Sequence, residues 1–341
     1  MRRRTFMGCA TAWMSSNPLA LAGQALANPA NPFPRTVQHV LGETRIEVPP
    51  KRIVCLGLND QDFAYALGIA PLGVTEWWGK KPYASWGWAE PERQKLHATP
   101  EVSGSRFFDY EWILSLEPDL ILATYRDVDE RSYRKLSSIA PVNAAPRGYR
   151  MWTAPWEVQL ELVAQALGRS AEAQNLRADI NGRMENARSA LGTLSGQHAA
   201  IADFREGQFV LWNSEAAASR FLQHLGFAFP PALDKLANSS GWIYLSIEQV
   251  GLLDIDLLIW PNDVREVVER LELFRSLGIY RERRCIWLAD RDPLASAALW
   301  FQSPLSIRYL LDRLPAILRT DAQPVQFDEG NTPFFTNRPV P

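Results

Sequence analysis

A stretch of purely helical periodicity divides the chain between two regions in which strands and helices alternate. Apolar residues recur about every 3.6 positions over 156–167, and again after Ser170, the predicted N-cap of a second helix ending near Leu194. At 1.5 Å per residue, this second helix of roughly 24 residues would be about 36 Å long. A helix of this length can connect two lobes. The chain is therefore predicted to be an α/β protein of two lobes joined by one long helix.

The alternating regions predict a small, mostly parallel sheet flanked by helices in each lobe. Short apolar runs are separated by helical segments on both sides of the long helix, and a hairpin over 36–48 precedes the first run. The predicted divisions are an N-terminal lobe at 28–150, a helical region at 151–195, a C-terminal lobe at 196–320 and an extended tail at 321–341.

An internal repeat supports two related lobes. Residues 111–122 align without gaps to residues 248–259, at an offset of 137 positions (248 − 111 = 137). Both segments predict a short helix, a turn and a buried strand. Glu111 and Glu248 occupy the same place in the two copies, in the first helical turn, where the helix dipole favours a carboxylate.

The first 27 residues predict a secretory signal peptide. Arg2, Arg3 and Arg4 precede a mildly apolar stretch, and Ala-Leu-Ala at 25–27 is a small-residue cleavage pattern. Residues 3–7 resemble the twin-arginine signature, so export to the periplasm is expected. Cleavage would change the formal net charge from −2 to −5, because three arginines leave with the signal (−2 − 3 = −5).

Composition excludes several classes of function. Lys and Arg number 36 against 38 Asp and Glu, so the basic excess of a nucleic-acid binder is missing. The 4 His are far apart in the sequence, which argues against a His-based metal site, and no motif of a hydrolase elbow, phosphate loop or dinucleotide fold is present. Cys55 and Cys285 lie in separate apolar runs and are expected to be buried thiols, although a disulfide between them stays open.

The order of short motifs resembles the periplasmic binding proteins for iron-siderophore complexes and cobalamin. The segments 50–56, 66–74, 116–121 and 136–142, with the linking helix and Ser246-Ile247-Glu248, follow that family over most of the mature chain. The resemblance implies the class III periplasmic binding protein fold. It also implies a monomeric solute-binding protein, not an enzyme, which captures a ferric siderophore in the periplasm and delivers it to an inner-membrane ABC permease.

Within the family, the pattern is most similar to the ferric-hydroxamate siderophore binding proteins. This likeness implies that Arg106 and Tyr125 of the first lobe and Trp242 and Trp300 of the second contact the ligand. The Arg fork and the Tyr hydroxyl would donate hydrogen bonds to hydroxamate or hydroxycarboxylate oxygens around the iron, while flat indole faces would accept the organic arms. The iron would arrive already coordinated, so neither a metal site nor a cofactor is implied.

Two further groups of residues follow from the resemblance. The long aromatic loop at 77–99 supplies a ligand-facing Trp, Trp77 or Trp78, although several other Trp residues share the loop. Glu111 and Glu248, one in each lobe, would pair with Arg residues of the permease. Trp112, Trp156, Trp260 and Trp287 have helical or strand spacing and are expected in the core, whereas Trp212 is undecided.

Three other functions remain open from the sequence alone. Cobalamin or haem could be the cargo, since pockets for such ligands are also aromatic. An exported α/β enzyme and a structural or interaction protein are the remaining classes.

Overall fold

The computed structural model describes residues 33–318. The predicted signal peptide at 1–27 and the predicted tail at 321–341 lie outside the described residues.

The first lobe is built on a five-stranded parallel sheet with strand order β5-β4-β3-β6-β7, preceded by the predicted hairpin, β1–β2. Its strands are β1 (Arg35–His39), β2 (Gly42–Ile46), β3 (Ile53–Cys55), β4 (Gly73–Thr75), β5 (Glu101–Ser103), β6 (Leu120–Ala123) and β7 (Val142–Ala144). Its α-helices are α1 (Asp60–Ala66), α2 (Glu90–Lys95), α3 (Tyr110–Ser115) and α4 (Glu130–Ser137), with a 3₁₀ turn at Pro82–Ala84.

Two helices connect the lobes, α5 (Trp156–Leu167) and α6 (Ser170–Leu191), followed by a 3₁₀ turn at Gly192–Leu194. The prediction that Ser170 is the N-cap of α6 is wrong, because Ser170 is the first residue of the helix. Gly168 ends α5 with a left-handed φ of 71°, and the Arg169 carbonyl already accepts the first helical hydrogen bond of α6, from Ala173. Arg169 is therefore the cap position, because only two residues separate the helices.

The second lobe has a mixed five-stranded sheet with strand order β10-β9-β8-β11-β12, in which only β9 runs antiparallel to its neighbours. Its strands are β8 (Ala199–Arg205), β9 (Gln208–Trp212), β10 (Trp242–Leu245), β11 (Leu257–Trp260) and β12 (Cys285–Trp287). Its helices are α7 (Ala217–His224), α8 (Pro231–Asp234), a 3₁₀ helix at Ile247–Leu253, α9 (Arg265–Glu269), α10 (Glu272–Arg275), α11 (Gly278–Arg281), α12 (Leu288–Arg291), α13 (Pro293–Phe301) and α14 (Pro304–Leu318).

One buried apolar cluster runs through both lobes. It includes Phe63 of the first lobe, Ile180 of α6 and Ile259 of the second lobe, and α14 packs against both α6 and α1. Two further clusters cover the opposite faces of the two sheets. Because both faces of each sheet are buried, the central strands are nearly continuous apolar runs. The lobes are thus joined by a shared core as well as by α6.

The internal repeat has the same structural role in both lobes. The Asp119 carboxylate accepts hydrogen bonds from the backbone N–H groups of Lys51 and Arg52, each at 2.8 Å, just before β3. Asp256 accepts one from His198 N–H at 2.8 Å, just before β8. Each Asp therefore fixes the start of the strand that pairs with its own, β6 on β3 and β11 on β8.

The two cysteines are free and buried, Cys55 on β3 and Cys285 on β12. The prediction of separate buried thiols is confirmed.

Candidate functional site

Aromatic side chains from both lobes meet at the end of α13. In the first lobe, Trp77 and Trp78 lie in the loop after β4, with ring centroids 5.1 Å and 5.0 Å from that of Phe301. Tyr125 follows β6 and lies 5.7 Å from Trp77. Both loops leave the carboxyl edge of the parallel sheet, the edge at which α/β proteins bind ligands.

The second lobe contributes a matching group. Trp212 at the end of β9 lies 5.0 Å from Trp242 and 4.5 Å from Trp300, and all three rings are half-buried. Trp300 and Phe301 are consecutive residues of α13, so its last turn contacts both groups. We call this set the aromatic junction, formed by Trp77, Trp78, Tyr125, Trp212, Trp242, Trp300 and Phe301. Five of the predicted ligand-binding residues therefore belong to one region, and Trp212 joins them.

The other Trp residues of the aromatic loop lie deeper. The rings of Trp86 and Trp88 are buried and stacked, 5.2 Å apart with 4° between their planes. Trp88 Nε1 donates a hydrogen bond to Asp62 at 2.7 Å. Trp77 and Trp78 are thus the half-exposed Trp residues of the loop. Of the expected core residues, Trp156, Trp260 and Trp287 are buried, whereas Trp112 is half-buried and donates to Glu101 at 3.1 Å.

Two arginines lie beside the first-lobe part of the junction. Arg106, predicted to contact the ligand, is exposed and forms no ion pair with any residue in 33–318. Arg126, which sequence reasoning missed, is half-buried with its guanidinium 4.8 Å from the centroid of Phe108. It donates to the carbonyls of Arg106 at 2.7 Å and Leu56 at 3.4 Å, and burial lowers its pKa. No carboxylate within residues 33–318 forms a salt bridge with it, and the attraction of the buried Asp60 carboxylate only partly opposes the lowering of its pKa.

The second lobe holds a cation that is already paired. The Arg205 guanidinium lies 5.8 Å from the Trp212 ring and forms a salt bridge with buried Asp203. Asp203 also accepts from Asn262 Nδ2 at 2.8 Å, while Asn262 Oδ1 has no partner among the described residues. Sequence reasoning missed this group as well. The repeat offers a signal for one member, because Asn262 corresponds to Tyr125 at the same offset (125 + 137 = 262).

A buried polar network positions the end of α13 beneath the junction. Asn59 Nδ2 donates to the Phe301 carbonyl at 2.7 Å, and Ser303 Oγ donates to Asp62 Oδ2 at 2.6 Å. Burial raises the pKa of Asp62 to about 6. These bonds connect the first lobe directly to the segment that carries Trp300 and Phe301.

The same network extends to α5 through Asp60. Gln159 Nε2 donates to Asn59 Oδ1 at 2.8 Å and to Thr124 Oγ1 at 2.9 Å, and Thr124 in turn donates to Asp60 at 2.5 Å. Burial raises the pKa of Asp60, although its hydrogen bonds oppose the rise. The segment that carries Tyr125, next to Thr124, is therefore held to α5 and to the start of α1.

The two glutamates of the repeat are exposed, one on each lobe. Glu111 lies in the first turn of α3, whose N-cap Asp109 accepts from Trp112 N–H at 3.0 Å. Glu248 lies in the 3₁₀ helix capped by Ser246, and a hydrogen bond with the Ser246 side chain lowers its pKa. Each glutamate thus lies in the first turn after an N-cap residue, as expected from the repeat, and both carboxylates are exposed to a partner.

In the part of the chain that the structure describes, no group of three or more His, Cys, Asp or Glu side chains is arranged to hold a metal ion. Within residues 33–318, no helix has the length and apolar content needed to cross a membrane.

The sequence model of the periplasmic binding protein family matches residues 53–277, which include parts of both lobes and the connecting helices. The chain belongs to the periplasmic binding protein family. Membership supports a binding protein rather than an enzyme, and it agrees with the two-lobed α/β fold.

Two curated relatives are similar to this periplasmic binding protein. A probable siderophore-binding lipoprotein of Bacillus subtilis (strain 168) is 27% identical over 197 residues, 58% of this chain. The achromobactin-binding periplasmic protein of Dickeya dadantii (strain 3937) is 30% identical over 187 residues, 54% of this chain. The chain spans 58% of the length of each of these relatives.

A solved structure resembles this periplasmic binding protein over most of its length. The periplasmic solute binding protein from Mycobacterium smegmatis is 30% identical, with a TM-score of 0.73. The alignment covers 83% of this chain and 96% of the other. The likeness extends across both lobes and supports the class III fold.

Proposed function

We propose that this periplasmic binding protein captures a ferric siderophore at the aromatic junction and delivers it to an ABC permease of the inner membrane. The observation that carries the proposal is the pairing of half-exposed indole faces with the half-buried guanidinium of Arg126, which forms no salt bridge within residues 33–318. A ferric siderophore presents partly negative oxygens around the iron and mixed-polarity organic arms. The two kinds of surface match these two parts of the ligand.

Arg106, Arg126 and Tyr125 are the donors for the chelate oxygens, of hydroxamate or hydroxycarboxylate type. Burial raises the pKa of Tyr125, so its hydroxyl keeps its proton and donates. The indoles of Trp77, Trp78 and the second-lobe group pack against the arms. The iron stays inside its chelator, and the protein contributes no metal ligand.

The names of the relatives support the cargo class, since one is a probable siderophore-binding lipoprotein and another binds achromobactin. Export to the periplasm by the twin-arginine-like signal completes the proposal, with the protein acting as a monomer. Exposed Glu111 and Glu248, one on each lobe, are the contacts for basic residues of the permease.

Tryptophan quenching tests the proposal against its main alternative. Purified protein is titrated with iron-loaded achromobactin, ferrichrome, cobalamin and haem. Quenching by at least one ferric siderophore is expected, and Arg126→Met should weaken it roughly tenfold or more, because a buried charge-assisted hydrogen bond is lost. Arg45→Met is the control, since Arg45 is exposed and, within residues 33–318, its salt bridge is with the neighbouring Glu47. Quenching by cobalamin or haem alone would replace the siderophore by that cargo.

A further inference from the structure

The loop at 145–155 follows the last strand of the first lobe, but its side chains and carbonyls form hydrogen bonds with the second lobe. It leaves the edge strand β7 and returns as α5, and we call it the bridging loop. The Arg150 guanidinium donates to the Ser239 carbonyl at 2.7 Å and forms a salt bridge with Glu215. Arg220 of α7 donates to the carbonyl of Thr153. The loop is therefore held to the second lobe at two points.

These attachments lie next to the second-lobe part of the aromatic junction. Asn213, directly after Trp212, donates its N–H to the carbonyl of Gly241, directly before Trp242, at 2.9 Å. Gly241 has a φ of +84°, and a Cβ placed on it would lie 3.4 Å from a terminal nitrogen of Arg150. The guanidinium thus packs on the point where the two Trp-bearing segments are joined.

The bridging loop has a backbone that needs such support. Trp152 has a φ of 62°, a left-handed conformation that is unfavourable for a bulky side chain. Thr153 closes the turn, its N–H and hydroxyl donating to the Arg150 carbonyl at 3.1 Å and 3.0 Å. The turn is a closed unit, and the Arg150 and Arg220 bonds at its two ends keep it in place.

We infer that Arg150 is a positioning residue of the ligand site. It holds the hydrogen-bonded residues Asn213 and Gly241 against the bridging loop. The spacing of the neighbouring Trp212 and Trp242 is thereby kept. Its effect on a bound ferric siderophore is to slow release, because the second-lobe aromatic face stays in its bound geometry. This inference rests on the proposed function.

The test compares Arg150→Met, Arg150→Lys, Glu215→Gln and the Arg150→Met/Glu215→Gln double variant. The dissociation rate of iron-loaded achromobactin is followed by stopped-flow tryptophan fluorescence. Arg150→Met should raise the dissociation rate roughly three- to tenfold, because it removes both the salt bridge and the hydrogen bond to the Ser239 carbonyl. Glu215→Gln should raise the rate roughly two- to fivefold, because it removes only the partly exposed salt bridge. The double variant should match Arg150→Met alone, because both changes break one contact. Arg150→Lys should recover part of the loss.

The control is Arg169→Met, which breaks a salt bridge of similar exposure at the first turn of α6 and should leave the rate unchanged. A ligand-independent readout accompanies it: amide exchange at Asn213 should accelerate in Arg150→Met. Unchanged exchange there would overturn the positioning role, whatever the protein binds. A wild-type chain that binds none of the ferric siderophores would instead refute the proposed function. Binding with equal release rates in all variants would refute the effect on release.

Discussion

The Asp62 carboxylate is fully buried beneath the aromatic junction and forms no ion pair within residues 33–318. Its Oδ2 accepts hydrogen bonds from Ser303 and Trp88, whereas its Oδ1 has no partner among the described residues. Burial raises the pKa of Asp62 from its ordinary value of 3.8 to about 6. Asp62→Asn keeps an oxygen for both donors and removes the titration.

The direction of the pH effect follows from the two pKa values. Between pH 3.8 and about pH 6, the folded wild-type chain holds a proton that the unfolded chain has released. Raising the pH through this window therefore lowers the free energy of unfolding, and the loss is complete above about pH 7. A pKa rise of this size corresponds to about 3 kcal/mol. Asp62→Asn escapes the loss, so its stability relative to wild type should increase by about 2.5 kcal/mol from pH 4 to pH 8, because the unfolded carboxyl is already partly ionised at pH 4.

Urea unfolding, followed by tryptophan fluorescence and circular dichroism from pH 4 to pH 8, measures this difference. Any pH-independent cost of the amide shifts the plot of unfolding free energy against pH without changing its slope. The buried Asp60 titrates in both proteins, so its effect cancels in the difference. Asp129→Asn is the control, because hydrogen bonds from Ser132 lower the pKa of the exposed Asp129, so its titration lies mostly below pH 4 and its difference from wild type should be nearly constant from pH 5 to pH 8. A difference in unfolding free energy between Asp62→Asn and wild type that does not change with pH would refute the raised pKa of Asp62.

Four further outcomes are expected. Tyr125→Phe should weaken binding of iron-loaded achromobactin roughly fivefold or more in a fluorescence titration, while the melting temperature stays within a few degrees, because one hydroxyl donor is lost. Asp119→Ala should cost about 2–3 kcal/mol in urea unfolding, and Asp256→Ala about 1–2 kcal/mol, since Asp119 accepts two backbone amides and Asp256 one. A reducing agent should leave the melting temperature unchanged because Cys55 and Cys285 are free thiols, and a decrease would indicate a disulfide. Small-angle scattering should show little compaction when ligand binds, since the lobes share a core; a large change in radius of gyration would contradict this rigidity.

The elements that periodicity predicted are those whose burial pattern is local. Helix α5 has the predicted bounds because its apolar residues form a stripe along one side, and β6 was found because both of its faces are buried. The region 231–281 behaves differently. Helices α8, α10 and α11 are four residues long, too short to show a period, and their packing on the sheet determines them.

The same distinction applies to the candidate site. The resemblance pointed to Tyr125 and the Trp77–Trp78 pair, but it could not separate them from Trp86 and Trp88. All four Trp rings pack near Phe301, which is more than 200 positions away in the sequence, and only the folded chain shows that Trp86 and Trp88 are the buried pair. Arg126 was missed because an Arg after a strand is unremarkable until its surroundings show that no carboxylate pairs with it.

The charged side chains at the aromatic junction differ between the two lobes, and so do the parts of a ligand that each lobe can contact. Arg205 of the second lobe is neutralised by Asp203, so this lobe offers mainly indole faces and the amide of Asn262. Arg126 of the first lobe is half-buried, donates to two carbonyls and packs on a Phe ring, and the buried Asp60 carboxylate attracts it without forming a salt bridge. An anionic chelate beside it would supply the direct ion-pair partner that these contacts lack. The electrostatic part of recognition therefore lies in the first lobe, and the second lobe contributes shape and apolar contact.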